Sequence, residues 1–246
     1  MFVRIKFSKT GAIRYIGHLD VMRYFQKCIR RAELDVAYTG GFSPHQIMTF
    51  ASPLGVGLES YGEYMDVKFV TDIPCEEIQS RLNAVSVPEI RILDVTRLPE
   101  NAGNAMASVA AAEYRIEFRE GRVPLCLTSD GLFSTSAAGK ALAGFLGKEE
   151  ILYEKETKKG SRTLNLKDGI FAFDVTEEEG GALHLLCDAS SAGNIKPSQV
   201  MEALVSFYGE ELMEHALLVT RLELYTRDGQ GKLIPMNRVG QDEETV

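Results

Sequence analysis

The side chains best suited to chemistry are cations concentrated in the first fifty residues of this chain. That segment holds eight Lys and Arg against three Asp and Glu, whereas the whole chain holds 27 against 35. A basic segment on an acidic protein favours an anionic partner, and nucleic acid is the first candidate. We predict that these cations form an RNA-binding surface. They are Arg4, Lys6, Lys9, Arg14, Arg23, Lys27, Arg30 and Arg31.

Three of these cations have the spacing of one helix face. Arg23, Lys27 and Arg30 are separated by four and three residues, so in a helix they lie on the same side and could contact successive phosphates. The alternative is a solvated helix face, in which Arg30 and Arg31 merely complement the negative end of the helix. The sequence leaves both interpretations open.

Two histidines and a tyrosine are the candidate catalytic residues. Should His18 and His45 meet, their imidazoles could act as acid and base on a phosphodiester, and Tyr38 could assist. His18, however, falls over the apolar side of the predicted helix, where a packed or capping histidine is the alternative. His45 lies in a Gly- and Pro-rich loop, where functional groups collect but simple loop histidines also occur. No spacing rule brings the two together, so catalysis remains a hypothesis.

The sequence predicts neither a metal nor a cofactor. Four cysteines lie about fifty residues apart and form no CxxC pair, so no zinc or iron–sulfur motif is present and free thiols are expected. The glycine-rich run at residues 55–60 lacks the third glycine and the following helix of a dinucleotide loop. For Asp20, Glu63 and Asp66, salt bridges to nearby cations are favoured over metal ligation.

No membrane association is predicted. The chain has no run of roughly 18 apolar residues, and its first six residues alternate apolar with charged side chains, unlike a signal peptide. We therefore expect a cytoplasmic protein.

Hydrophobic periodicity predicts the elements that position these residues. In the first half, alternation predicts strands at residues 2–8, 35–39, 46–51, 64–70 and 90–98, and three- and four-residue spacing predicts helices at 18–34 and 74–85. The order β-α-β-β-α-β is that of a ferredoxin-like sandwich.

The second half repeats this order with an added hairpin, so the predicted fold class is α+β with two tandem ferredoxin-like sandwiches. The predicted domains are residues 1–100, with the basic motif, and residues 113–228. A linker at 101–112 joins them, and a flexible tail occupies 229–246.

Several stretches of sequence form a long motif. They are Lys9-x-Gly11-x-x-Arg14-Tyr15-Ile16-Gly17-His18-Leu19-Asp20-x-x-Arg23, Arg30-Arg31-Ala32, Ala37-Tyr38-x-x-Gly41-Phe42-x-Pro44-His45, Ala51-x-Pro53-Leu54-x-x-Gly57 and Glu63-Tyr64-Met65-Asp66. This pattern resembles the radical SAM-linked proteins, a domain of unknown function fused to radical SAM proteins or encoded beside them. The resemblance continues, more loosely, through residues 112–114 and 190–204. It departs from the family at Gly17, where serine is expected, and at residues 165–167.

The resemblance implies an accessory role beside a radical SAM partner, although this chain lacks the three close cysteines that would hold a cluster. The favoured hypothesis is an RNA-binding or substrate-presenting module, without activity of its own, for RNA or ribosome-related modification. One alternative is a metal-independent RNA-processing nuclease, and the other is a protein-interaction module that binds no nucleic acid.

Overall fold

The computed structural model describes residues 1–99, 102–157, 160–177 and 181–239, without the side chains of residues 155–157. Its helices are α1 (His18–Arg31), α2 (Cys75–Val85), α3 (Ala105–Ser108), α4 (Thr135–Leu146) and α5 (Pro197–Phe207). Its strands are β1 (Phe2–Lys9), β2 (Met48–Phe50), β3 (Glu59–Lys68), β4 (Ile92–Arg97), β5 (Ala111–Phe118), β6 (Thr128–Ser129), β7 (Leu132–Phe133), β8 (Leu152–Thr157), β9 (Gly160–Asn165), β10 (Ile170–Thr176), β11 (Ala182–Asp188), β12 (Leu217–Arg227) and β13 (Leu233–Pro235). The α+β class is therefore confirmed.

The chain forms two compact units. Unit 1 contains residues 1–110 together with the chain from Arg221 onward, and unit 2 contains residues 111–220. This division differs from the predicted domains at 113–228 and 229–246, because the last part of β12 and the segment that follows it belong to unit 1. Of the predicted flexible tail, residues 229–239 contain β13 and a 3₁₀ turn, Met236–Arg238, and residues 240–246 lie outside the described residues.

In unit 1, β1 is the central strand of an antiparallel sheet. It pairs with β4 on one side and β3 on the other, and β2 pairs with β3. Alternate β1 residues, Val3, Ile5 and Phe7, are buried in one hydrophobic core with residues of α1 and α2. Because side chains alternate across a strand, Arg4 and Lys6 point to the opposite face.

The C-terminal segment covers that opposite face. Met236 is fully buried, and its carbonyl oxygen accepts a hydrogen bond from Arg4. The Asn237 side-chain amide donates to the Asp94 carboxylate at 2.7 Å, and the main-chain carbonyl of Asn237 accepts from the Thr96 hydroxyl. One face of the unit 1 sheet is thus packed by helices, and part of the other is packed by the end of the chain.

Unit 2 has its own antiparallel sheet, in the order β10-β11-β5, followed by the first residues of β12. Two helices, α4 and α5, contribute its buried apolar side chains, among them Leu142, Phe145 and Leu204. The β8–β9 hairpin lies between α4 and β10 in sequence and forms a separate two-stranded sheet.

Three predicted elements of unit 1 differ from the structure by three residues or more. The strand predicted at 64–70 is β3, which begins five residues earlier, at Glu59. Helix α1 ends at Arg31 rather than at Leu34, since Glu33 adopts a left-handed conformation (φ 53°) and the Leu34 amide bonds back to Ile29. The predicted strand at 35–39 is reduced to isolated bridges at Val36 and Tyr38. These residues begin a hairpin-like excursion rather than a regular strand.

Candidate nucleic-acid interface

Helix α1 separates apolar from cationic side chains. Val21, Phe25, Cys28 and Ile29 are buried at three- and four-residue spacing. The helix begins after Gly17 without a side-chain cap, and Asp20 lies in its first turn, where a negative charge is favourable. The sequence thus produces a helix whose outer face is free to carry positive charge.

Three cations occupy that outer face. Arg23 has 67% of its side chain exposed, and its only ion pair among the described residues is a loose one, 3.5 Å from Asp20. Lys27 is exposed and makes no hydrogen bond or ion pair within the part of the chain that the structure describes. Arg30 is exposed and uses its Nε to contact the Gln26 carbonyl at 3.3 Å. We call Arg23, Lys27 and Arg30 the basic face.

The hairpin excursion, which consists of residues 36–47, contacts this helix beside the basic face. Tyr38 and Gln46 pair across it, and the Gln46 amide donates both to the Tyr38 hydroxyl (3.4 Å) and to the Gln26 carbonyl (3.3 Å). Arg30 uses the same Gln26 carbonyl. The half-exposed Tyr38 is thus linked to Arg30 through the Gln46 amide and the Gln26 carbonyl.

The tip of the excursion is held by its own hydrogen bonds. The Thr39 amide donates to the His45 carbonyl at 2.9 Å, and the His45 amide donates to the Thr39 hydroxyl at 3.1 Å. Between them, Gly41 takes a positive φ of 100°, which glycine adopts without strain. Phe42 is fully exposed there. An ordered tip therefore presents an unburied aromatic ring.

Arg4 is unavailable to any ligand. It is 1% exposed, and its guanidinium makes a bidentate ion pair with Asp66, at 2.8 Å and 2.9 Å. The Asp66 carboxylate also accepts from the Ala105 amide at 3.1 Å. Although the sequence predicts that Arg4 contacts RNA, its charge is neutralised inside unit 1 and is not presented to solvent.

Lys6 and Lys9 are also engaged. Lys6 lies 2.6 Å from the Glu223 carboxylate, whose other oxygen accepts from the Tyr64 hydroxyl. Lys9 is 2% exposed and donates to the Ile16 carbonyl at 2.9 Å. Burial lowers the pKa of Lys9, and the nearby Glu63 carboxylate opposes that effect. Neither ammonium faces solvent as an anion-binding surface requires.

Arg14 and Arg31 are anchored at the edges of α1. Arg14 makes an ion pair with Glu59 at 3.0 Å and lies over the Tyr15 ring. Arg31 donates to the Val85 carbonyl at the end of α2, at 3.0 Å. Of the eight predicted cations, the structure therefore brings Arg23, Lys27 and Arg30 together on an open surface.

The two candidate catalytic histidines have separate environments. His18 packs edge-on against Phe50, with 5.1 Å between ring centroids. It lines a cavity of about 10 Å³, which suffices for a single water. His45 instead lies 3.2 Å from the Thr39 hydroxyl in the exposed loop. Among the described residues, no contact joins His18 to His45 or either one to Tyr38.

Within the described residues, the structure supports neither a metal site nor a membrane-spanning helix. No group of three His, Cys, Asp or Glu side chains there could hold a metal ion. In the same ranges, no helix combines the length and apolarity needed to cross a membrane.

The sequence gives no sign of the residues whose contacts decide which cations are buried and which are exposed. Arg221 of β12 forms a buried ion pair with Glu63 and also contacts the Ser52 carbonyl at 2.8 Å. The sequence predicts only a short strand at Gln46, yet its side chain fixes the excursion to α1. No local pattern marks such partners, since they are 20 to 158 residues away in sequence.

One family model matches the chain. The family is described as "Uncharacterized protein conserved in bacteria (DUF2344)", and its model matches residues 3–197. No curated protein matches the chain. The matched region includes the basic face, the excursion and most of unit 2, well over half of the sequence. The chain therefore belongs to this family of uncharacterized proteins conserved in bacteria.

Proposed function

We propose that unit 1 binds RNA through the basic face of α1 and the aromatic side chains of the adjacent excursion. The observation that carries this proposal is the cluster of Arg23, Lys27 and Arg30 on one open helix face, where Asp20 alone among the described residues forms an ion pair with them. The other five cations of the segment form ion pairs or hydrogen bonds within unit 1. RNA is thus held by a small surface rather than by the whole basic segment.

Charge and spacing support phosphate contact. Neighbouring cations on the basic face are one helical turn apart, about 5–6 Å between Cβ atoms. That distance suits consecutive phosphates along a single strand. Three such contacts release counterions, and the logarithm of the association constant should fall with the logarithm of salt concentration with a slope of about −2.

Exposed aromatic rings favour RNA over other polyanions. Tyr38 is 50% exposed and hydrogen-bonds Gln46, which contacts α1 at Gln26, and Phe42 is fully exposed. Solvated rings are costly for a folded surface and are well suited to stacking on unpaired bases, at about 1–3 kcal/mol per base. A phosphate-only ligand would have no use for them.

The decisive experiment measures binding of a fluorescein-labelled single-stranded oligouridine by fluorescence anisotropy. We expect the triple variant Arg23→Glu, Lys27→Glu, Arg30→Glu to bind about 100-fold or more weakly, since each of the three lost contacts costs about 1 kcal/mol or more. A control triple, Lys68→Glu, Arg81→Glu, Arg91→Glu, makes the same change in net charge at exposed positions of unit 1. Equal losses in the two triples would contradict the proposal.

A second pair of variants separates stacking from charge. Tyr38→Ala and Phe42→Ala should each weaken oligouridine binding by about fivefold or more while leaving the salt slope unchanged. Both side chains are at least half exposed, so the fold should tolerate their loss. Affinity for heparin, which has charge but no bases, should not change in these variants. An equal loss of heparin affinity would assign the rings a structural role.

The wider setting is proposed from the family resemblance. We infer that the bound RNA is presented to a radical SAM enzyme in the cytoplasm, where the four free cysteines of this chain would stay reduced.

Strand order supports the proposal that each unit is ferredoxin-like: β4-β1-β3-β2 in unit 1 and β12-β5-β11-β10 in unit 2 are the same arrangement. Copurification of RNA and a radical SAM protein with the tagged chain tests the setting.

A further inference from the structure

Unit 2 contains an open groove that the proposed RNA surface does not use. It has a volume of about 510 Å³ and lies between the end of α4, strand β8 and helix α5. That volume falls within the range of about 300–1,000 Å³ found for ligand sites. All of its lining residues belong to unit 2.

The floor of the groove is apolar and incompletely covered. Phe145 and Ile151 are nearly fully buried beneath it, whereas Leu152 is 60% exposed and Phe207 is 40% exposed. Adjacent large apolar side chains exposed at a concave surface favour contact with a partner. The groove therefore offers anchor positions for apolar side chains.

The rim of the groove is predominantly acidic, with Lys148 as the one cation among its described lining residues. Glu150 and Glu154 are exposed and form no ion pair within the described residues. Glu202 accepts a hydrogen bond from the Tyr153 hydroxyl at 2.6 Å, which raises the pKa of Tyr153 to about 12. Three carboxylates thus surround the apolar floor, and two of them have no internal partner there.

The chain itself shows that the floor accepts a cation. The Lys148 ammonium lies over the Phe207 ring, 5.3 Å from its centroid. Such cation–π contacts contribute about 0.5–1 kcal/mol at exposed sites. Unit 2 as a whole has 18 acidic and 11 basic residues, so its field also favours a positive ligand.

We propose that this groove docks a basic amphipathic helical segment of a protein partner. Leucine-like side chains of that segment pack against Leu152 and Phe207, while its Lys or Arg side chains pair with Glu150, Glu154 and Glu202. The complementarity is in both charge and apolarity, which excludes RNA as the occupant. This inference does not depend on RNA binding by unit 1.

The test uses a defined probe, a fluorescein-labelled Leu/Lys peptide of about 16 residues that forms an amphipathic helix about 24 Å long. A Leu/Glu peptide with the same apolar pattern is its counterpart. We expect the Leu/Lys peptide to bind the full-length protein and the Leu/Glu peptide to bind at least about tenfold more weakly. Backbone amide shifts in the NMR spectrum should change in α4, β8 and α5.

Variants locate the contact. Glu150→Lys with Glu154→Lys should weaken Leu/Lys binding about tenfold, and Leu152→Asp should weaken it by a similar factor through lost burial. These three side chains are exposed, so the fold should persist. The matched control is Glu120→Lys with Glu177→Lys, an equal charge change elsewhere in unit 2 that should weaken binding less than twofold.

Three outcomes would overturn the proposal. Equal weakening by the control pair would reduce binding to the overall acidity of unit 2. Equal affinity for the two peptides, or shifts confined to other elements, would remove the groove as a basic-segment site. Light scattering that shows a dimer lost in Leu152→Asp would assign the groove to a second copy of this chain.

Discussion

The cations of β1 and those of α1 lie close together in sequence but differ in use. Arg4 and Lys6 point from β1 to the sheet face that the C-terminal segment covers, where Asp66 of β3 and Glu223 of β12 neutralise them. Arg23 and Lys27 point from α1 away from the core, and no distant part of the described chain covers them. A local basic pattern is therefore available to a ligand only where no other part of the fold covers it.

The difference follows from the cost of burying charge. A buried guanidinium must be paired and hydrogen-bonded, since an uncompensated buried ion costs several kcal/mol. Arg4 meets that requirement with two bonds to Asp66 and one to the Met236 carbonyl. A solvated cation on α1 has no such need and keeps its charge available for a ligand.

The largest expected effect is on stability at Arg4. Arg4→Met leaves the Asp66 carboxylate buried without its cation, and we expect the free energy of unfolding to fall by about 3–5 kcal/mol. Urea denaturation followed by circular dichroism measures this change. Arg23→Met, its counterpart on α1, should change the free energy of unfolding by less than about 0.5 kcal/mol.

A second variant tests the cause of the Arg4 effect. Asp66→Leu combined with Arg4→Met removes the stranded charge, so the double variant should recover part of the lost stability. Similar small losses from Arg4→Met and Arg23→Met would mean that the two sets of cations are equally solvated, which breaks the comparison.

The next effect concerns the segment that covers the β1 cations. Met236→Ala removes a fully buried side chain, and we expect the free energy of unfolding to fall by about 2–4 kcal/mol. Lys232→Ala, at an exposed position in the same segment, should cost less than about 0.5 kcal/mol. The same urea titration applies. Equal, negligible losses would instead support the loose tail that the sequence predicted.

Local patterns in the sequence were enough to predict most elements of unit 1. Alternation found β1 and three-to-four spacing found α1, because each signal lies within a few residues of its cause. The end of α1 was misplaced by three residues, since Glu33 is not glycine and gives no sign of its left-handed turn. A polar C-terminal sequence likewise concealed the buried Met236.

The candidate site was harder to predict than the fold. Spacing alone identified Arg23, Lys27 and Arg30, since a helix face is a local property. Whether Lys9 is buried depends on carbonyl groups of the segment that follows β1. Whether Arg4 is buried depends on Asp66 and Met236, which are 62 and 232 residues away in sequence. Long-range packing of this kind has no signature in a single sequence.

Lys9 and Lys27 should also differ in how fast their amines react with a chemical reagent. Burial lowers the pKa of Lys9, so a larger fraction of its amine is neutral near pH 8 than in an exposed lysine. That change alone would speed its acetylation by acetic anhydride. Lys9 as a whole is only 2% exposed, however, so its amine reacts only after local opening of the connection between β1 and α1. We therefore expect Lys27 to react at least about tenfold faster than Lys9 in the native protein, as measured by peptide mass spectrometry. The two rates should converge in denaturing urea, and convergence without urea would show that this connection opens readily and that Lys9 belongs with the solvated cations of α1.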